Sequence, residues 1–185
     1  MVIISICAAI IIGFIIAVIA TPRIVEYVET TTIDAPRRAV YDAIRRQSNL
    51  MKWSAWPSET GSDCKVLGED GVVGAQTVFL DKKGSKFGYQ EVTQMTKDAS
   101  VSFMLESKGP PHVPVMHFYL SDLDDDKTHV SLHFINDITP PFHLALRLFG
   151  VVKWTRGMHK KDLDGLKRFL ERSEDYSGKP LQVAV

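Results

Sequence analysis

His117, His129 and His133 are the residues whose type and spacing come nearest to a metal site. Pairing the alternating runs Met116, Phe118, Leu120 and Val130, Leu132, Phe134 sets His117 roughly opposite His133, with His129 on the same face. Three imidazoles so placed are zinc ligands in kind. They fall on the polar face, however, and no neighbouring carboxylate or cysteine completes a set, so solvated histidines and no metal are expected. His112, His143 and His159 carry no stronger signal. Glu91 shares parity with Phe87 and Tyr89. In a regular strand it points inward with them, where desolvation would raise its pKa and suit it to acid–base work or to meeting a polar head group; a β-bulge would turn it to solvent instead. The loop Gly68-Glu69-Asp70-Gly71-Val72-Val73-Gly74 has the glycines of a phosphate cradle, but no Gly-Lys-Ser/Thr follows and no helix opens there, so it reads as a hairpin connection. Ser, His and Asp residues show no spacing of a nucleophile elbow. No catalytic residue and no cofactor is assigned.

These side chains need strands and helices to place them. Val25 to Ile33 is rich in β-branched residues and reads as a strand. Asp34-Ala35-Pro36 reads as a helix start, with Asp34 as N-cap and Pro36 in the first turn, and Val40, Tyr41 and Ile44 give that helix its apolar stripe to about Gln47. Trp53 and Trp56 bracket a turn, where packing at the rim of a core and gating of a ligand are the two roles open to them. From Cys64 to Asp137 the chain is a succession of short strands. Lys65 to Leu67 and Gln76 to Leu80 flank the glycine loop. A turn near Lys97-Asp98-Ala99 pairs Met95 with Val101 and gathers Phe87, Tyr89, Met95, Val101, Phe103 and Leu105 on one face. The last hairpin turns at Asp124-Asp125-Asp126. One face of the sheet is thereby dry and must be covered.

The cover is the stretch Phe142 to Arg172. Leu163, Leu166, Phe169 and Leu170 fall three and four apart on one helical face, opposite Lys160, Lys161, Asp164, Lys167, Arg168 and Glu171. Gly150 and Gly157 interrupt it, and a break near one of them is expected. A curved sheet gripping one helix leaves room between them for a small apolar ligand.

Met1 to Ala20 contains no charged side chain, and a helix of that length is about 30 Å long, the thickness of a bilayer core. Thr21-Pro22-Arg23 ends it. A cleaved signal peptide is the competing reading, but the basic leading segment is missing and the apolar run is longer than such peptides use. Arg23, Arg37 and Arg38 follow the span, which favours a cytoplasmic domain; cleavage and export is the other outcome. Twenty-two basic residues balance twenty-two acidic ones, so no net field draws the chain to nucleic acid. Cys7 lies in the leader and Cys64 in the domain, leaving no sensible disulfide.

Ile33-Asp34-Ala35-Pro36, then Val40-Tyr41, Asn49-Leu50, Trp53-Ser54-Ala55-Trp56, Gly74-Ala75 and the closing Lys161-Asp162-Leu163-Asp164-Gly165-Leu166-Lys167, behind an apolar leader, resemble the START-like (SRPBCC) superfamily, in particular its polyketide cyclase/dehydrase and lipid transport group. The resemblance runs from about Val25 to Arg172, and departs from the usual pattern at the proline-rich stretch from Lys108 to Pro114. It implies an α+β helix-grip fold: a curved antiparallel sheet around a long C-terminal helix, here preceded by a single transmembrane helix. Residues 1–22 are then an anchor, 23–174 the helix-grip domain and 175–185 a flexible tail. The expected function is membrane-anchored binding of a hydrophobic small molecule or lipid, by Phe87, Tyr89, Glu91, Phe103, Met116, Phe118, Leu132, Phe134, Trp154 and Met158. Two rivals stand beside it: a cyclase or dehydratase acting on a polyketide-like substrate, and an interaction module whose cavity is filled by its own side chains.

Overall fold

Alternating apolar and polar residues, dense in Val, Ile, Thr and aromatics, make the strands β1 (Ile24–Ile33), β2 (Asp63–Leu67), β3 (Gln76–Leu80), β4 (Lys86–Thr96), β5 (Ser100–Ser107), β6 (His112–Asp124) and β7 (Lys127–Ile138). The computed structural model describes residues 2–109, 112–124 and 126–172, so the tail expected at 175–185 and part of the proline-rich stretch lie outside the described residues. Among these residues the strands form one antiparallel sheet in the order β1-β7-β6-β5-β4-β3-β2. Its curvature and the long helix lying on one face make a helix-grip fold.

The last hairpin has the expected register: Met116 opposes Phe134, Phe118 opposes Leu132, Leu120 opposes Val130, and His117 opposes His133. Met95 opposes Val101 as expected. The parity assigned to β4 does not survive, because the pairing slips between Val92 and Gln94. That bulge inserts one residue, and the residues before it change face as far as Gly88, where a second slip, against Phe79 and Leu80, leaves Phe87 unpaired. Gly88, Gln90 and Val92 are therefore the buried set of β4, while Tyr89 and Glu91 lie on the other side, opposite Glu106 and Met104. β6 begins further back than its apolar alternation suggested, and Pro114 sits within it, opposite Asn136 of β7. The β5 pairing reaches only as far as Val115, so the missing proline N–H falls where β6 has a partner on one side alone.

After α1 (Val2–Ala20), the helices are α2 (Arg37–Arg45), the short α3 (Leu50–Trp53) and α4 (Ala55–Thr60), and then α5 (Phe142–Leu148) and α6 (Val151–Arg172). The expected break falls at Gly150, whose φ of 72° only glycine adopts cheaply, while Gly157 is carried inside α6. Asp34 is not the N-cap of α2. Pro36 occupies that position without a side-chain cap, and the Asp34 amide donates to Glu171 Oε1 at 3.0 Å, fastening the start of the domain to the end of α6. The helix is clamped along β1 as well: Arg156 and Lys160 pair with Glu29, and Lys167 Nζ donates to the Thr32 carbonyl at 2.8 Å. Leu163, Leu166 and Leu170 complete a core with Ile33, Val40, Ile44, Val101, Phe103, Phe118 and Leu132.

Candidate functional site

α5 and α6 meet in a corner at Gly150, and the first turns of α6 stay against the sheet, with Val152 on the core and Arg156 paired to Glu29 of β1. A cavity of about 330 Å³ opens there, near the lower end of the roughly 300–1,000 Å³ usual for small-molecule sites. Phe79, Phe87, Leu105, Met116 and Phe134 wall it from the sheet, and Leu146, Val151, Trp154 and Thr155 from α5 and α6. Trp56 meets Trp154 edge to face at 5.2 Å across one side. Glu106 and Lys108, the charged residues around it, are exposed at the rim. A wider recess of about 710 Å³ between α3, α4 and the last turns of α6 is open and edged by Glu59, Lys161 and Arg168, which suits solvent better than an apolar guest.

The ligand-binding residues expected from the sequence separate into groups. Phe87, Met116, Phe134 and Trp154 line the cavity. Tyr89 borders it, yet its hydroxyl donates to Glu106 at 3.0 Å and its ring lies under Lys86, both away from the interior. Phe103, Phe118 and Leu132 sit deeper, in the closed part of the core, where Trp53 and Phe103 each meet Phe118 edge to face. Met158 is buried but borders a shallow dent beside Gly157 instead. Glu91, turned outward by the bulge, accepts from Gln76 Nε2 at 2.7 Å. The outer histidines likewise bond to hydroxyls: His117 to Ser102 at 2.8 Å and His133 to Ser131 at 3.0 Å.

Polar residues that sequence reasoning passed over stand at the inner wall. His159, only 1% exposed, lines the cavity with its ring against Phe134 at 4.7 Å and Trp56 at 6.0 Å. Its Nδ1 is 2.9 Å from the Tyr27 hydroxyl. Burial pulls the imidazole down to about 4, and burial, reinforced by the Glu29 charge, pushes the Tyr27 phenol up, so both are neutral at pH 7. One turn on, Asp162 accepts from Ser54 Oγ at 2.9 Å and from the Ala55 amide at 2.7 Å, closing the N-terminus of α4. Burial pushes its carboxyl up to about 7, against hydrogen bonds that hold it down. His159 stands four residues before Leu163 and so extends the stripe Leu163, Leu166, Leu170; that spacing was the available sign of its burial.

The same corner touches the leader. His143 Nε2 donates to the Val18 carbonyl at 3.0 Å, one of the carbonyls a helix end leaves free, and Arg147 donates to the carbonyls of Pro22 and Ile24. Between them and the cavity wall, Leu148 and Phe149 are 75% and 83% exposed. α1 itself carries no charged side chain, has no buried residue and is 19 residues long, enough to cross a membrane; a signal sequence has the same description.

No protein-family model matches the chain, and neither does any curated protein. Solved structures do. The chain is similar to protein CV1439 from Chromobacterium violaceum, at 20% identity and a TM-score of 0.56 over 82% of this chain and 99% of that one. It is similar to a point mutant of norcoclaurine synthase from Thalictrum flavum in complex with a transition-state analogue, at 10% identity and a TM-score of 0.62 over 80% and 94%. It also matches DynU16, from the dynemicin biosynthetic locus, at 16% identity and a TM-score of 0.55 over 82% of this chain and 48% of that one. At these identities the likeness shows the fold alone: a curved antiparallel sheet gripping a long C-terminal helix.

Proposed function

We propose that this SRPBCC-like chain holds a hydrophobic small molecule or lipid in the cavity between its sheet and α6, beside a membrane to which α1 anchors it. The observation that carries the reading is the 330 Å³ space itself, walled by Phe79, Phe87, Leu105, Met116 and Phe134 and left open where a filled core would continue. Burying an apolar guest against such walls is favourable at roughly 25 cal/mol per Å². A self-filled interaction module would have no such space. A cyclase or dehydratase built on Glu91 is disfavoured by the outward position of that carboxylate.

Anchor and cavity support one another. The corner formed by α5 and the start of α6 contributes Leu146, Val151 and Trp154 to the cavity, bonds to the end of α1 through His143 and to the residues that follow it through Arg147, and exposes Leu148 and Phe149. A guest that partitions into the bilayer would thus be concentrated beside its entrance. The domain is assigned to the cytoplasmic side on the count of Arg23, Arg37 and Arg38 after the span. The test is native mass spectrometry of the full chain released from detergent. An apolar adduct is expected, and Leu105→Trp, which fills the space, should lose it. A chain that carries no adduct and takes up none from added bacterial lipid extract would refute the reading.

A further inference from the structure

Resting on the cavity reading, we infer that the inner wall is a hydroxyl-recognition subsite, built from His159 and Asn136, for an uncharged alcohol on an otherwise apolar ligand. The His159 tautomer follows from its partner. Tyr27 keeps its proton, and among the described residues its hydroxyl has one hydrogen-bonding neighbour, Nδ1 of His159 at 2.9 Å. Assigned from that network, the phenol donates to Nδ1, and the ring proton is on Nε2. Nε2 then has no protein partner among the described residues, although His159 is 1% exposed and lines the cavity.

Asn136 supplies the complement. It is the next inward position along β7 after Phe134, roughly 7 Å further on, and Phe134 is the residue whose ring packs on His159. Asn136 lines the same cavity, and its buried Oδ1 has no hydrogen-bond partner. The buried Oδ1 is costly when unmet, and Nε2–H, on a side chain 1% exposed that lines the same space, has no protein partner among the described residues either. A hydroxyl meets both, accepting from Nε2 and donating to Oδ1; a hydrocarbon meets neither. Among the described residues lining the cavity, Lys108 is the one lysine or arginine and stands at the exposed rim, so a carboxylate would meet no such cation at the inner wall.

The experiment uses the full chain in lipid nanodiscs, labelled with 5-fluorotryptophan so that Trp56 and Trp154 report on the cavity by fluorine NMR. It is titrated with naphthalene, 2-naphthol and 2-naphthoate, free concentrations being set by partition into empty discs. The expected result is 2-naphthol binding about tenfold more tightly than naphthalene, with 2-naphthoate weakest. His159→Phe, which keeps an aromatic ring against Phe134, and Asn136→Leu should each reduce the preference for 2-naphthol about tenfold. Equal affinities for naphthalene and 2-naphthol in the parent chain, or a preference unchanged in Asn136→Leu, would overturn the subsite and leave the cavity reading standing. Failure of all probes to bind would overturn both. Should His159→Phe not fold, Asn136→Leu decides alone.

Discussion

Asp162 is an acid held inside the molecule by what it does for α4: its carboxylate collects the Ser54 hydroxyl and the Ala55 amide, donors a helix start would otherwise leave unmet. The cost appears as a pH dependence. In the unfolded chain this carboxyl loses its proton near pH 3.8, in the folded chain near 7. Between those values the folded state binds the extra proton, so this group's contribution to stability falls as pH rises through the window and is constant above it. His159 acts in the opposite sense: buried neutral, with its pKa lowered from 6.5 to about 4, it makes stability rise with pH across that interval. The two largely offset in the parent chain. Asp162→Asn removes one of them, so its stability relative to the parent should improve by a few kcal/mol from pH 4 to pH 7, at about 1.4 kcal/mol per pH unit of separation. Urea melts of the full chain in detergent, followed by tryptophan fluorescence, measure this; a pH-independent difference would contradict it. His159 itself was legible only in part: its spacing from Leu163 marks it as buried, but the cavity beside it lies between the sheet and the α5–α6 corner at Gly150.

At the scale of elements, α6 approaches α3 so closely that Gly165 is a packing residue. A Cβ at that position would overlap the carbonyl oxygen of Trp53, a backbone atom that cannot step aside. Gly157, in the same helix, has open space where its Cβ would be. Helix propensity alone rates the two alike, each favouring alanine by about 1 kcal/mol. Packing separates them: Gly157→Ala should stabilise by about 1 kcal/mol, and Gly165→Ala should destabilise by about 2 kcal/mol or more through overpacking. Midpoints of urea unfolding for the two variants test this, and equal shifts of the same sign would refute the close approach. The sheet gives a parallel lesson. Alternation in β6 and β7 yielded their register directly, because Met116 to Leu120 and Val130 to Phe134 leave one pairing that is apolar with apolar. In β4 the alternation misled for Tyr89, because a bulge after Val92 leaves composition unchanged while exchanging inside for outside; for Glu91 it is the bulged alternative that holds.

For the whole molecule the question is how the domain stands to the membrane. The leader has no charge and no buried residue in α1, while Val18 and Pro22 at its end are held by His143 and Arg147 of α5. A retained anchor should leave the expressed chain at its full mass of 20.7 kDa, resistant to alkaline carbonate and extracted by detergent. A soluble product shorter by about the length of the leader would mean a cleaved signal peptide instead. Replacing Leu148 and Phe149 together by serine should leave the domain's melting unchanged, since both are largely exposed, but should slow uptake of an apolar probe from nanodiscs. Uptake at the parental rate would remove this corner from the path.

What the sequence determined by itself was whatever repeats along the chain: a charge-free span as long as a bilayer is thick, strands of period two, a terminal helix with one apolar stripe, and a break at a glycine. These follow from local chemistry, because periodicity and backbone freedom belong to neighbouring residues. The tertiary structure alone decided which wall is empty and which is filled. The cavity depends on where the α5–α6 corner meets the sheet, the faces of β4 on one inserted residue, and the Tyr27, His159 and Asn136 arrangement on bringing β1, β7 and α6 together, and no local pattern encodes such meetings.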